Sequence, residues 1–215
     1  MASLLPLGYG PVWLTLENSQ MKIALSAAML TLVAGSALAA PVTYDVDPGH
    51  TYPSFEADHM GGLSVWRGKL DKTSGTIVYD KDKSAGTVDI TIDTSSIDFG
   101  HEKLNEHAKS PDLFDVAKYP TATYKGTLAG FVNGAPTKVE GQFTLHGVTK
   151  PLTLTIDQFL CKPNPMTKKE VCGADAKATF NRKDFGMGFG DAYGFKMDVK
   201  LAIQVEAGSP ASRPS

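Results

Sequence analysis

Cysteine is nearly absent: Cys161 and Cys172 are the sole two in 215 residues, too few for a disulfide-dense scaffold and without the C-x-x-C spacing of a redox motif. No block of like charge occurs, and the formal net charge is -2 with both signs dispersed, which excludes the basic patch of a nucleic-acid or membrane-surface binder. The longest apolar run, Ile23 to Val33, falls short of the ~20 residues that a membrane-spanning helix needs. Catalytic signatures are missing as well. There is no G-x-S-x-G elbow. His101-Glu102-Lys103-Leu104-Asn105 fails the zincin pattern H-E-x-x-H, since Asn105 stands where the second imidazole belongs. Asp80 to Gly86 starts like a calcium loop, yet its Gly comes one place late and Thr91 replaces the bidentate Glu. Gly186-Met187-Gly188-Phe189-Gly190-Asp191 lacks the third glycine of a dinucleotide fingerprint.

What is present begins with Met21-Lys22, the apolar run to Val33, and Ser36-Ala37-Leu38-Ala39-Ala40. A charged start, an apolar middle and an A-x-A end make a secretory signal, with cleavage expected after Ala39. Residues 1–20 contain Glu17, Pro6 and Pro11 and no positive charge, so they read as a mis-assigned extension, with Met21 the expected start. Residues 40–207 are left as one domain and 208–215 as a polar, disordered tail. The expected location is the periplasm, in soluble form with no stable membrane anchor.

Period-two alternation runs through that domain. Thr43 to Asp47, Ser54 to Asp58, Leu63 to Leu70, Gly75 to Tyr79, Thr87 to Asp93, Thr121 to Leu128 and Lys138 to Leu145 all read as strands, with Gly68 expected to be a bulge. Glu102 to Lys109 is the exception: Leu104 and Ala108 four apart predict a short helix, stopped at Ser110-Pro111. Ala174, Ala176 and Ala178 give one strand a small apolar face that leaves interior space. In the last strand Phe195, Met197, Val199, Leu201, Ile203 and Val205 share a face. Many one-sided strands and one helix predict an all-β antiparallel barrel or sandwich. Cys161 and Cys172 flank a loop containing Pro163 and Pro165, and in an oxidising compartment they are expected to form a structural disulfide.

The hairpin is clearest at Gly141 to Ile156, where Phe143 and Leu145, then Leu152, Leu154 and Ile156, form one dry face. Gly147 supplies positive φ at the turn, and Pro151 fits at the start of the second strand. The run Leu145-His146-Gly147-Val148-Thr149-Lys150-Pro151 resembles the signature of the YceI-like family of lipid-binding, polyisoprenoid-binding bacterial proteins. Further matching stretches are Asp47-Pro48-Gly49-His50, Thr94 to Asp98, His107 with Ser110 to Asp115, Lys118-Tyr119-Pro120 and Arg182-Lys183-Asp184-Phe185-Gly186. The resemblance covers Val42 to Glu206. It implies a lipocalin-like antiparallel β-barrel that holds a long isoprenoid chain in its lumen, for transport, storage or sequestration, with no catalysis, cofactor or metal.

By alternation and aromatic content, the expected lumen residues are Phe55, Trp66, Phe131, Phe143, Phe159, Phe180, Phe185, Met187, Phe189 and Met197. The loop Gly186 to Gly194 reads either as an aromatic lid at the mouth or as a plug for the core. The expected partner is an isoprenoid or other long-chain apolar ligand; assembly as a homodimer is left open. The rival expectation is a periplasmic hydrolase or metal-dependent enzyme using His50, His101 or His107. An interaction protein whose barrel is filled by its own side chains is a third.

Overall fold

The computed structural model describes residues 40–209 together with Gly10. The expected signal at 21–39 and the stretch 1–20 lie outside the described residues, apart from Gly10. Eleven strands form one sheet. They are β1 (Val42–Val46), β2 (Tyr52–His59), β3 (Ser64–Leu70), β4 (Thr73–Asp80), β5 (Ala85–Asp93), β6 (Ile97–Asp98), β7 (Thr121–Ala129), β8 (Lys138–Leu145), β9 (Val148–Pro163), β10 (Glu170–Asn181) and β11 (Asp198–Gly208). The helix α1 (Glu102–Lys109) lies between β6 and β7.

Three pairs of these strands act as single staves. β1 pairs with β4 and β2 with β3, as in Val42 opposite Tyr79 and Ser54 opposite Lys69, so β1–β2 and β3–β4 are two long strands interrupted at 47–51 and 71–72. The β5–β6 stave follows β4 and β3 in the same way, through Thr73 opposite Ile92 and Lys69 opposite Asp98. Five unbroken strands, β7 to β11, complete the circuit, and β11 closes on the first stave through Ala207 opposite Val46 and Leu201 opposite Phe55. The result is an eight-stave, up-and-down antiparallel barrel, the architecture that removes exposed sheet edges by closure.

The alternation that predicts the strands also decides which side chains face in. Val88 and Ile92 of β5, Ala122 and Tyr124 of β7, and Phe143 and Leu145 of β8 are all buried, each pair an even number of positions apart on its strand. The hairpin between β8 and β9 turns on His146 and Gly147, both with positive φ (51° and 75°), the signature of a two-residue type I′ turn whose twist suits the flanking strands. Pro151 stands four residues into β9, where the strand is paired with β8 alone; β10 joins β9 from Thr155 on. A missing N–H therefore breaks no ladder.

Two expectations are corrected. Gly68 is no bulge, because it stays in register opposite Phe55. A Cβ there would come within 2.7 Å of Phe55 and 3.0 Å of Phe99, so the rings that cover this strand require the glycine. The register shift falls instead between Asp175 and Ala176. Also, the last strand starts at Asp198, leaving Phe195 and Met197 before it, and runs to Gly208, one residue into the expected tail.

Helix α1 has the predicted bounds. His101 caps its start by accepting from the Leu104 amide, and the Ser110 hydroxyl donates to the His107 carbonyl at its end. Ala108, fully buried, faces the barrel. Asn105 anchors the helix to the barrel rim, accepting from the Phe99 amide at 2.7 Å and donating to Asp98 at 2.9 Å.

Candidate lipid-binding cavity

The inward faces do not meet in the middle. They enclose a cavity of about 430 Å³, within the range of small-molecule pockets. Its wall is mostly aliphatic and aromatic: Val88, Ile90, Leu152, Leu154, Ile203 and Val205 are typical. Ala174 and Ala176 line it too, so the small face of β10 makes part of the space, as expected.

One end is sealed. Tyr44 (1% exposed), Tyr79, Cys172 and Ala207 form a packed floor, with Phe159 edge-on to Tyr79 at 5.5 Å. The Cys161–Cys172 disulfide joins directly opposed residues of β9 and β10 at this end. Below it, Glu170 accepts from the Tyr44 hydroxyl and from Lys81. These two donors hold the Glu170 carboxyl below its usual range, Lys81 first, while burial and then Glu170 push the Tyr44 phenol up.

The other end carries the polar wall residues Asp58, His59, His107 and Arg182, set among Trp66, Phe189 and Phe195. The His59 ring lies edge-on to both Trp66 (5.5 Å) and Phe195 (5.3 Å), and His107 meets Phe189 at 4.9 Å. Arg182 spans the mouth: Nη1 donates to the Met187 carbonyl at 2.7 Å and Nη2 to that of Phe189 at 2.6 Å. Burial lowers its guanidinium pKa. The loop over the mouth is thus pinned. Met187 is buried as a plug, Phe189 is 40% exposed at the rim, and Tyr193 is 76% exposed and points away.

Seven of the ten expected lumen residues line the cavity: Phe55, Trp66, Phe143, Phe159, Phe180, Met187 and Phe189. The other three stand behind the wall. Phe185 packs on Phe143 (5.5 Å) and Phe180 (5.3 Å), Phe131 stacks on Tyr79, and Met197 is buried in the segment leading to β11. The aromatic criterion missed Tyr44, Tyr79 and Tyr124, whose inward alternation was readable. Tyr124 shows why a phenol is tolerated inside. Its hydroxyl donates toward the carbonyls of Val139 (3.1 Å) and Leu152 (2.9 Å), and burial pushes its pKa up to about 12.

His146, the motif histidine, lies outside the lumen. Its Nδ1–H donates to the Phe185 carbonyl at 3.1 Å and its ring lies 4.2 Å from that of Tyr119, so it ties the β8–β9 turn to the 3-10 turn Arg182–Phe185. The histidines of the enzyme reading are scattered. His50 pairs with Asp47 on the surface, His101 caps α1, and His107 meets Phe189. Among the described residues no group of three or more His, Cys, Asp or Glu side chains is placed to hold a metal ion.

A family profile described as the YceI-like domain matches residues 44–207. A UPF0312 protein of Pseudomonas paraeruginosa is 34% identical over 194 residues, 89% of this chain and 97% of that protein. Protein YceI of Escherichia coli O157:H7 is 34% identical over 185 residues, 86% and 95% of the two chains. Two solved structures share the fold, each with a TM-score of 0.59: BcnA of Burkholderia cenocepacia (24% identity, 75% of this chain and 99% of that one) and a polyisoprenoid binding domain of Saccharophagus degradans (15%, 79% and 99%).

Proposed function

The chain belongs to the YceI-like family, and from that premise we propose that it is an exported periplasmic protein that holds an isoprenoid or similar long-chain apolar lipid, such as a polyprenyl or quinone tail, for transport, storage or sequestration, without catalysis. The observation that carries this reading is the cavity of about 430 Å³ walled by hydrocarbon, with the buried cluster of Tyr44, Tyr79, Cys172 and Ala207 packed at one end. Each methylene buried there contributes about 0.8 kcal/mol, so several isoprene units bind tightly through apolar contact alone. The same physics gives weak discrimination by length, about 1–3 kcal/mol for a methylene gained or lost. The Saccharophagus degradans domain of the same fold is described as polyisoprenoid binding. Export is supported by the three-part pattern at 21–39.

Mass spectrometry of an organic extract of natively purified protein tests the reading. A co-purifying isoprenoid or quinone is expected. An empty extract, together with no binding of added ubiquinone or polyprenol, sinks it.

A further inference from the structure

Five hydroxyl-bearing side chains line the cavity, and four are engaged. Tyr44 donates to Glu170, Tyr79 to the Gly134 carbonyl, Tyr124 to the carbonyls of Val139 and Leu152, and Thr51 to the Glu206 carbonyl. The fifth is Thr73. It is 3% exposed, and its Oγ1 is buried without a hydrogen-bond partner. Alternation along β4 puts its side chain on the inward face with those of Ile77 and Tyr79.

Buried hydroxyls in folded proteins are nearly always paired, so an orphan in a cavity wall calls for an explanation. A trapped water would need two to four polar partners. Leu70, Ile92 and Ala122, which share this wall with Thr73, offer only hydrocarbon. The partner must then bring its own oxygen on an apolar body. That oxygen must be uncharged, because the charged wall groups, Asp58 and Arg182, stand at the mouth and a naked anion among hydrocarbon is strongly disfavoured.

We propose that Thr73 is a specificity-determining anchor, its hydroxyl hydrogen-bonding a neutral hydroxyl or carbonyl of the lipid, so that the lumen selects an oxygen-bearing isoprenoid over a hydrocarbon of equal length. This rests on the lipid-binding reading above. The choice of ligand class comes from one atom on an otherwise non-selective wall.

Phytanol and phytane, saturated isoprenoids that differ by one oxygen, are titrated against a neutral fluorescent probe, N-phenyl-1-naphthylamine, bound to delipidated protein. Thr73→Val is expected to weaken phytanol relative to phytane by roughly five-fold, the worth of one ordinary hydrogen bond, while Thr73→Ser keeps the wild-type ratio. Urea unfolding of ligand-free Thr73→Val should give a midpoint at or above wild type, since no internal bond is lost. An unchanged phytanol-to-phytane ratio in Thr73→Val overturns the anchor and leaves the lipid reading standing. A lowered midpoint or a failure to fold overturns it too, by showing that the hydroxyl serves the fold. If wild type binds neither compound, both readings fall together.

Discussion

Arg182 holds the backbone of Phe189 through a 2.6 Å hydrogen bond from Nη2, while Nη1 of the same guanidinium reaches the Met187 carbonyl. Two carbonyls of one loop therefore hang on a planar fork whose geometry a lysine cannot copy. Arg182→Met and Arg182→Lys are both expected to lose amide exchange protection across 186–190 and to release a bound lipid faster, with global stability lowered by about 1–2 kcal/mol. Exchange measured by mass spectrometry checks this, and unchanged protection in Arg182→Lys would count against the fork.

Ala176 is a wall residue of the cavity on the small face of β10, 8% exposed. Ala176→Phe should fold, because the ring enters existing space, and should abolish binding of N-phenyl-1-naphthylamine. Circular dichroism with probe titration distinguishes this from the usual 1–3 kcal/mol loss on overpacking a solid core.

The Cys161–Cys172 bridge closes a short loop at the floor, with a sequence separation of 11. Its removal in a Cys161→Ala, Cys172→Ala double variant is expected to lower unfolding free energy by about 3 kcal/mol, chiefly by freeing the unfolded chain. Urea unfolding of the variant, compared with wild type in reductant, should give matching midpoints.

Glu170 links stability to acid. Its folded pKa is lowered by Lys81 and Tyr44, so its contribution is complete above its unfolded value and disappears as pH falls through the lowered folded one. Urea midpoints followed from about pH 6 down to about pH 3 should drop less steeply for Glu170→Gln than for wild type. Parallel curves would mean that the carboxylate gains nothing from its two donors.

Much of the barrel could be read from period two, because the face that is dry in sequence is the face that is buried in space. Helix α1 was legible for the same kind of reason: Leu104 and Ala108 give the face, and Ser110-Pro111 give the stop. Alternation is blind to register, so the breaks at 47–51 and 71–72 read as turns between separate strands, and nothing in the sequence showed that β1–β2, β3–β4 and β5–β6 each continue as one bent stave. Phe131, Phe185 and Met197 lie in connecting segments, where period two carries no information about direction. Thr73 was passed over because the strand was expected to begin at Gly75. The role of His146 was hidden too, since its partner Phe185 is 39 residues away in sequence.

The crosslink and the packed tyrosines sit at the blind end, whereas the opposite rim is held, among the described residues, by hydrogen bonds, ring contacts and the Lys183–Asp191 ion pair, with no covalent tie. Such a vessel has a welded base and a latched neck. Under the lipid-holding function proposed above, cargo would leave by the route it entered, so loading and delivery would compete for one doorway, and a receiver of the lipid would have to meet the same rim as its donor.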